Sequence, residues 1–140
     1  MIVDDQAANI LLLERILQTG GYKNFTKITD PRQVLEFFTI HQPDLILLDL
    51  MMPHVDGLAL LTQLRSRIPE NTYLPIMVLT ADATPKAKQQ ALSRGAKDFL
   101  TKPFDATEVL LRVYNLLETR WLAIQLQKHI NTLENPPSSS

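Results

Sequence analysis

The sequence predicts an α/β fold, a parallel five-stranded sheet with helices on both faces. Short apolar runs alternate five times with segments of helical period, which is the pattern of strand–helix–strand units. The runs Leu45–Leu48 and Ile76–Leu79 are apolar without alternation, as strands covered on both faces are. The chain has 140 residues, 45% apolar and 21% charged, which suits one globular domain.

Each element has local grounds. Met1–Val3 reads as a strand ending at Asp4-Asp5. Ala7–Thr19 carries Ile10, Leu13, Ile16 and Leu17 as a helical stripe, and Gly20-Gly21 stops it. Phe25–Ile28 is the second strand. Asp30-Pro31 is a cap followed by proline at the first helical position, ahead of Val34, Leu35, Phe37 and Phe38. Leu45–Leu48 ends at Asp49. Asp56 caps a third helix, Gly57–Arg67, with Leu58, Leu61 and Leu64 on one face. Ile76–Leu79 ends at Thr80. Thr84-Pro85 opens a helix that runs to Arg94, with Gly95 beyond it. Asp98–Thr101 is the fifth strand and ends at Lys102-Pro103. Asp105 and Glu108 form a capping box for the last helix, which continues to Glu134 before Asn135-Pro136-Pro137.

That last helix is longer than one domain needs, about 44 Å if unbroken from Ala106 to Glu134. Val109, Leu110, Val113, Leu116 and Leu117 suffice to cover the sheet. Ala123, Leu126, Ile130 and Leu133 then form an apolar seam expected to pair with a second copy in a weak homodimer. The expected organisation is a domain over residues 1–118, an extended linker helix over 119–135 and a disordered tail over 136–140.

Composition excludes several classes. There are 14 basic and 15 acidic residues, a net charge of −1, so this segment has no basic excess for nucleic acid. The absence of cysteine removes disulfides, thiol nucleophiles and cysteine metal sites. His41, His54 and His129 are not spaced as metal ligands. No apolar run reaches membrane-spanning length, and acids follow the N-terminus at once, so neither a membrane segment nor a signal peptide is expected. The expected compartment is the cytoplasm.

In sheets of this kind, chemistry gathers beyond the carboxyl ends of the strands. Those ends carry Asp4, Asp5, Asp49, Thr80 and Lys102. Three neighbouring carboxylates cannot all stay ionised without counter-charge. Lys102 supplies one positive charge and a divalent cation supplies two. An all-oxygen donor set points to Mg²⁺. A carboxylate beside Mg²⁺, an ammonium and a hydroxyl is arranged to receive a phosphoryl group.

These residues, with the run Asp49-Leu-Met-Met-Pro-His-Val-Asp-Gly57, Leu79-Thr80-Ala81 and Lys102-Pro103, resemble the receiver domain of two-component response regulators. The resemblance covers about residues 1–118. It implies the flavodoxin-like receiver fold, with strand order 2-1-3-4-5. It implies that a histidine kinase or phosphotransfer protein phosphorylates Asp49. It implies that Asp5 binds Mg²⁺ directly, that Asp4 acts largely through water, and that the Met51 carbonyl completes the ligands with Asp49. Thr80 and Lys102 are then the phosphoryl-binding groups, Phe99 the aromatic that swings inward with Thr80, and Lys102–Pro103 a cis bond. The run Asn115–Trp121 is similar to the helix that leads from receivers into output domains, particularly those of the HD-GYP type. No output-domain motif is present, so an output domain is expected outside this sequence.

Two departures stand out. His54 occupies a position usually held by glycine, where the loop can need an unusual backbone angle. Only three residues precede the acid pair, so the first strand is expected to be trimmed. Two rival functions remain. A Mg²⁺-dependent aspartyl-phosphate phosphatase would carry an aspartate two residues after its nucleophile, where this chain has Met51. A receiver used only for docking would have lost part of the acid set, Thr80 or Lys102, and this chain has all of them.

Overall fold

The computed structural model describes residues 1–135, so the tail of residues 136–140 lies outside the described residues. The elements follow in the order β1 (Ile2–Val3), α1 (Ala7–Thr19), β2 (Lys27–Ile28), a 3-10 turn (Pro31–Gln33), α2 (Val34–His41), β3 (Ile46–Asp49), α3 (Gly57–Ser66), β4 (Ile76–Thr80), α4 (Pro85–Ser93), β5 (Asp98–Thr101) and α5 (Ala106–Glu134). The five strands form one parallel sheet in the order β2-β1-β3-β4-β5.

Register explains why the second strand is shorter than its sequence suggests. The apolar run predicts a second strand from Phe25, yet β2 holds only Lys27 and Ile28. β1 offers two partners, with Ile2 opposite Lys27 and Val3 opposite Ile28. Thr26 lends its carbonyl to the Ile2 N–H at 2.8 Å, and the ladder stops there.

Alternation along the strands builds a core on each face. Val3, Ile46, Leu48, Ile76 and Val78 point to one side, where Val34, Leu60, Leu61, Leu64 and Ala91 of α2, α3 and α4 cover them. Ile2, Leu47, Met77, Leu79 and Leu100 point to the other, against Ile10, Leu13, Leu17, Val109 and Val113 of α1 and α5. Leu47, Leu48, Ile76 and Leu79 are at most 1% exposed. Each such side chain contributes about 2 kcal/mol by leaving water.

The caps agree with the chain's punctuation, with one exception. Asp30 accepts from Arg32 N–H, Asp56 from Leu58 and Ala59, Thr84 from Ala87, and Asp105 from Glu108. The expected capping box at α5 is only half made. Glu108 turns instead to Arg112 one helical turn on, at 3.0 Å, and Arg112 also holds Asp98 of β5 at 2.7 Å.

Past the sheet, α5 is moored by Arg120. Its Nε stands 3.2 Å from Asp44 and its Nη1 donates to the Tyr73 carbonyl at 3.0 Å. Those residues precede β3 and β4, so the mooring is at the strand feet, opposite the end that gathers the acids. No helix among the described residues is long and apolar enough to cross a membrane.

Candidate functional site

Asp4 and Asp5 follow β1, Asp49 ends β3, Thr80 ends β4, and Lys102 follows β5. Parallel strands in register bring these ends to one edge, and the strand order reverses between β1 and β3 at the middle of it. Asp49 and Thr80 are 1% and 6% exposed, and Asp4 is fully buried. Three carboxylates thus share a pocket whose floor is the apolar sheet.

Lys102 is the cation that holds two of them, Asp4 and Asp49. Its Nζ stands 3.1 Å from Asp4 Oδ2 and 3.3 Å from Asp49 Oδ2. The other oxygens serve the backbone: Asp4 Oδ1 accepts from the Gln6 N–H at 2.9 Å, and Asp49 Oδ1 from the Met51 N–H at 3.0 Å. Asp4 Oδ2 is buried with no directed hydrogen bond, its lysine contact being a charge contact only. Asp4, Asp5 and Asp49 each offer a carboxylate oxygen, all within 4.8 Å of one another. One ammonium against three carboxylates leaves two negative charges. A small divalent cation bound by oxygens fits both that balance and the orphaned Asp4 oxygen.

Burial pushes the Asp49 carboxyl above its ordinary 3.8. The Met51 N–H opposes this, the charge of Asp4 adds to it, and Lys102 offsets part of it. Burial alone would pull Lys102 down, but its contacts with Asp4 and Asp49 outweigh it and raise the ammonium. The consequence for stability has a definite sign. With its native value raised, Asp49 binds a proton in the fold more readily than in the unfolded chain. The resulting stability is fully present below pH 3.8 and is lost as pH rises through the native value. At neutral pH without divalent cations, Asp49→Asn is therefore expected to raise the melting temperature. Thermal melts from pH 4 to 7 should show the gain shrinking toward acid; a variant that melts below the parent at pH 7 would contradict this.

Thr80 and Phe99 stand apart from that cluster. The Thr80 hydroxyl accepts from the Asp82 N–H at 3.0 Å and lies 3.4 Å from the Asp82 carbonyl, so the β4–α4 loop holds it. Phe99 pairs with Val78 across the sheet and packs, half-buried, on the α2–α4 side. The Lys88 ammonium sits 4.4 Å from its ring centroid. The Lys102–Pro103 bond is cis, and His54 has φ +65°, the left-handed region where a β-carbon costs about 1 kcal/mol. An open cleft of about 360 Å³ lies beside Asp5, lined by Thr29, Asp30, Arg32 and His54. A larger one of about 890 Å³ opens at the strand feet, among Phe25, Asp44, Leu45 and Val113, and touches none of the charged cluster.

Of the seam residues, Leu126 and Leu133 are exposed, whereas Ala123 and Ile130 are half-buried. Ala123 lines clefts with Asn71, Thr72 and Tyr73 of its own domain. Sequence reasoning also passed over the Met51 N–H, the Asp82 N–H and Lys88. The first two are backbone groups, which sequence does not distinguish. Lys88 reads on α4 as one more solvated lysine.

A family model described as the response regulator receiver domain matches residues 1–114. NtrC of Klebsiella pneumoniae, a DNA-binding transcriptional regulator, is 40% identical over 112 residues, 80% of this chain and 23% of NtrC. RpaA of Synechocystis sp., a DNA-binding dual master transcriptional regulator, is 37% identical over 137 residues, 98% of this chain and 56% of RpaA. Among solved structures, NtrX from Brucella abortus superposes with a TM-score of 0.81 at 27% identity, over 99% of this chain and 30% of NtrX. The chain thus spans 23% and 56% of the two curated relatives' lengths. The family match runs from β1 into α5 and takes in every residue of the charged cluster, and on that ground the chain belongs to the response regulator receiver domains of two-component systems.

Proposed function

We propose that Asp49 is the phosphoacceptor of this receiver domain. The observation that carries the reading is a buried carboxylate at a strand end, held by a lysine and crowded by two further aspartates. A carboxylate oxygen of Asp49 attacks the phosphorus of a phosphohistidine on a kinase or phosphotransfer protein. The O–P bond forms as the N–P bond breaks, and the bonding pair stays on the imidazole nitrogen. The Lys102 ammonium offsets charge on the phosphoryl oxygens.

Asp5 and Asp49, with the Met51 carbonyl and water ordered by Asp4, would hold Mg²⁺, which when bound supplies further positive charge to the phosphoryl group. Thr80 would exchange its Asp82 partner for a phosphoryl oxygen, and Phe99 would turn inward behind it. The two arrangements then differ in their interaction with the phosphoryl group, which shifts the population between them. The domain would span residues 1–118, with residues 119–135 leading to an output domain, and would work in the cytoplasm. Turnover of an external substrate is not part of the reading, because Met51 has no proton to give at the position where a phosphatase needs an acid. The presence of the whole acid set, Thr80 and Lys102 supports phosphorylation over docking alone.

The test is to incubate the chain with Mg²⁺ and acetyl phosphate or phosphoramidate, trap the product with borohydride and map it by mass spectrometry. Conversion of Asp49 alone to homoserine, the reduction product of an aspartyl phosphate, is the expected result. No incorporation, or incorporation at another residue, overturns the assignment.

A further inference from the structure

Thr80 and Phe99, the hydroxyl and the ring of the proposed switch, are both tied to α4. The tie to Thr80 runs through the β4–α4 loop. The Asp82 N–H donates to the Thr80 hydroxyl at 3.0 Å, and the Asp82 carboxylate accepts from the Thr84 N–H at 3.0 Å. Thr84 caps α4, its hydroxyl accepting from the Ala87 N–H, and its carbonyl accepts from the Lys88 N–H at 3.1 Å. The tie to Phe99 is Lys88 itself, whose ammonium lies 4.4 Å from the ring centroid.

Lys88 is not placed as a solvated lysine. It is half-buried, whereas Lys86, Gln89 and Gln90 around it are exposed. Among the described residues its ammonium makes no ion pair, so the electron-rich ring face is the surface it meets. The helix has little else to hold it, since among the described residues of α4 only Ala91 is buried.

We propose that Lys88 is a positioning residue of the switch: it holds the Phe99 ring beneath α4 and opposes the inward turn that accompanies phosphorylation of Asp49. The inference rests on the phosphoacceptor reading and adds to it the group that sets the resting position. The ring cannot lie under Lys88 and turn in behind Thr80 at once. The contact therefore stabilises the resting arrangement alone, and a contact made in one arrangement only shifts the population between the two. The link through Thr84 joins the two ties. When Thr80 leaves Asp82 for a phosphoryl oxygen, the loop that fixes the first turn of α4 loses a partner, one turn before Lys88.

The sign of the effect separates this role from that of a simple charge. A lysine acting only through its charge attracts the phosphoryl group, so its loss weakens binding of an anionic mimic. Loss of a restraint on the resting state does the reverse. More of the free protein is then competent, and the apparent affinity rises.

Beryllofluoride, an anionic mimic of the phosphoryl group, tests this on the whole chain with Mg²⁺. Lys88→Gln should bind it about threefold to tenfold more tightly than the parent, the range of a partly desolvated cation–π contact. Lys88→Arg keeps a cation that stacks on the ring and should bind within about twofold of the parent. In a Phe99→Leu background, Lys88→Gln should change nothing, because no ring is left to hold. Fluorine NMR of protein labelled with para-fluorophenylalanine reads the ring directly. The chain has five phenylalanines, and the Phe99 signal is assigned by its loss in Phe99→Leu. In the free protein, Lys88→Gln should move that signal toward its beryllofluoride-bound position, and Lys88→Arg should leave it in place. A Lys88→Gln affinity equal to or weaker than the parent's, the same gain in the Phe99→Leu background, or an unmoved ring signal overturns the proposal and leaves the phosphoacceptor reading intact. A parent that binds no beryllofluoride overturns both.

Discussion

Gly57→Ala is expected to destabilise the domain by about 3 kcal/mol, the upper end for overpacking, because the clash is with backbone. A β-carbon on Gly57 would lie 2.2 Å from the Leu50 carbonyl oxygen and 2.6 Å from the Leu50 Cα. Those atoms cannot rotate away as a side chain can. Gly57 is the first residue of α3, capped by Asp56, and it lies directly against the backbone that follows β3. Leu50 is the residue after Asp49, and its N–H donates to the Leu79 carbonyl at 3.3 Å. Relief of the clash would therefore shift the chain beside Asp49 and loosen it from β4. A loss of that size is a large part of the stability of a small domain. Gly20→Ala is the control. Its β-carbon would come to 2.8 Å from Leu110 Cδ2, the far end of a flexible side chain, and should cost much less. Urea denaturation measures both. Equal midpoints for the two variants would show that α3 can move off Leu50 freely.

The residues that were easiest to read in the sequence are those whose pattern is local and whose partners are fixed by it. Ile10, Leu13, Ile16 and Leu17 were expected on one helical face, and they are the buried residues of α1. The unbroken apolar strand runs imply helices on both faces, and two cores are found. The strand-end positions of Asp4, Asp5, Asp49, Thr80 and Lys102 follow from where those runs stop. Features that depend on a distant partner were not legible. The start of β2 depends on how much of β1 is there to pair with it. Glu108 has a capping position, but Arg112 competes for it and wins. The rotation of distal α5 is set by Arg120 reaching Asp44 and Tyr73, residues far away in sequence. Gly57 is an ordinary glycine in sequence, and only the position of Leu50 shows that a side chain cannot fit there.

Lys102→Met is expected to cost about 3 kcal/mol in the absence of divalent cations, from the loss of one partner in a buried charge cluster. The ammonium contacts Asp4 at 3.1 Å and Asp49 at 3.3 Å, and the side chain itself is only 21% exposed. Methionine keeps the length and removes the charge, so two buried carboxylates are left facing each other. One of them must then take up a proton or draw in water. Asp49 is the group that takes it, since burial already holds its carboxyl above 3.8 and Lys102 no longer opposes that. The pH dependence follows from the sign. In both proteins the protonated Asp49 contributes stability below pH 3.8 that is lost as pH rises through the native value. In the variant that native value is higher, so the loss extends further toward neutral and the curve falls more steeply. The raised Lys102 ammonium gives the parent stability that is kept below 10.5 and lost only in alkali, so it does not shape this window. Two additions should reverse the damage. Mg²⁺ restores counter-charge among the three carboxylates and should stabilise the variant more than the parent. Combining Lys102→Met with Asp49→Asn removes one of the opposed charges and should recover most of the loss, giving a coupling well beyond the sum of the single changes. Thermal melts of the four proteins between pH 4 and 8, with and without Mg²⁺, decide it. If the single variant melts with the parent, or the double variant melts no higher than the single one, Lys102 is not the charge that holds Asp4 and Asp49 in place.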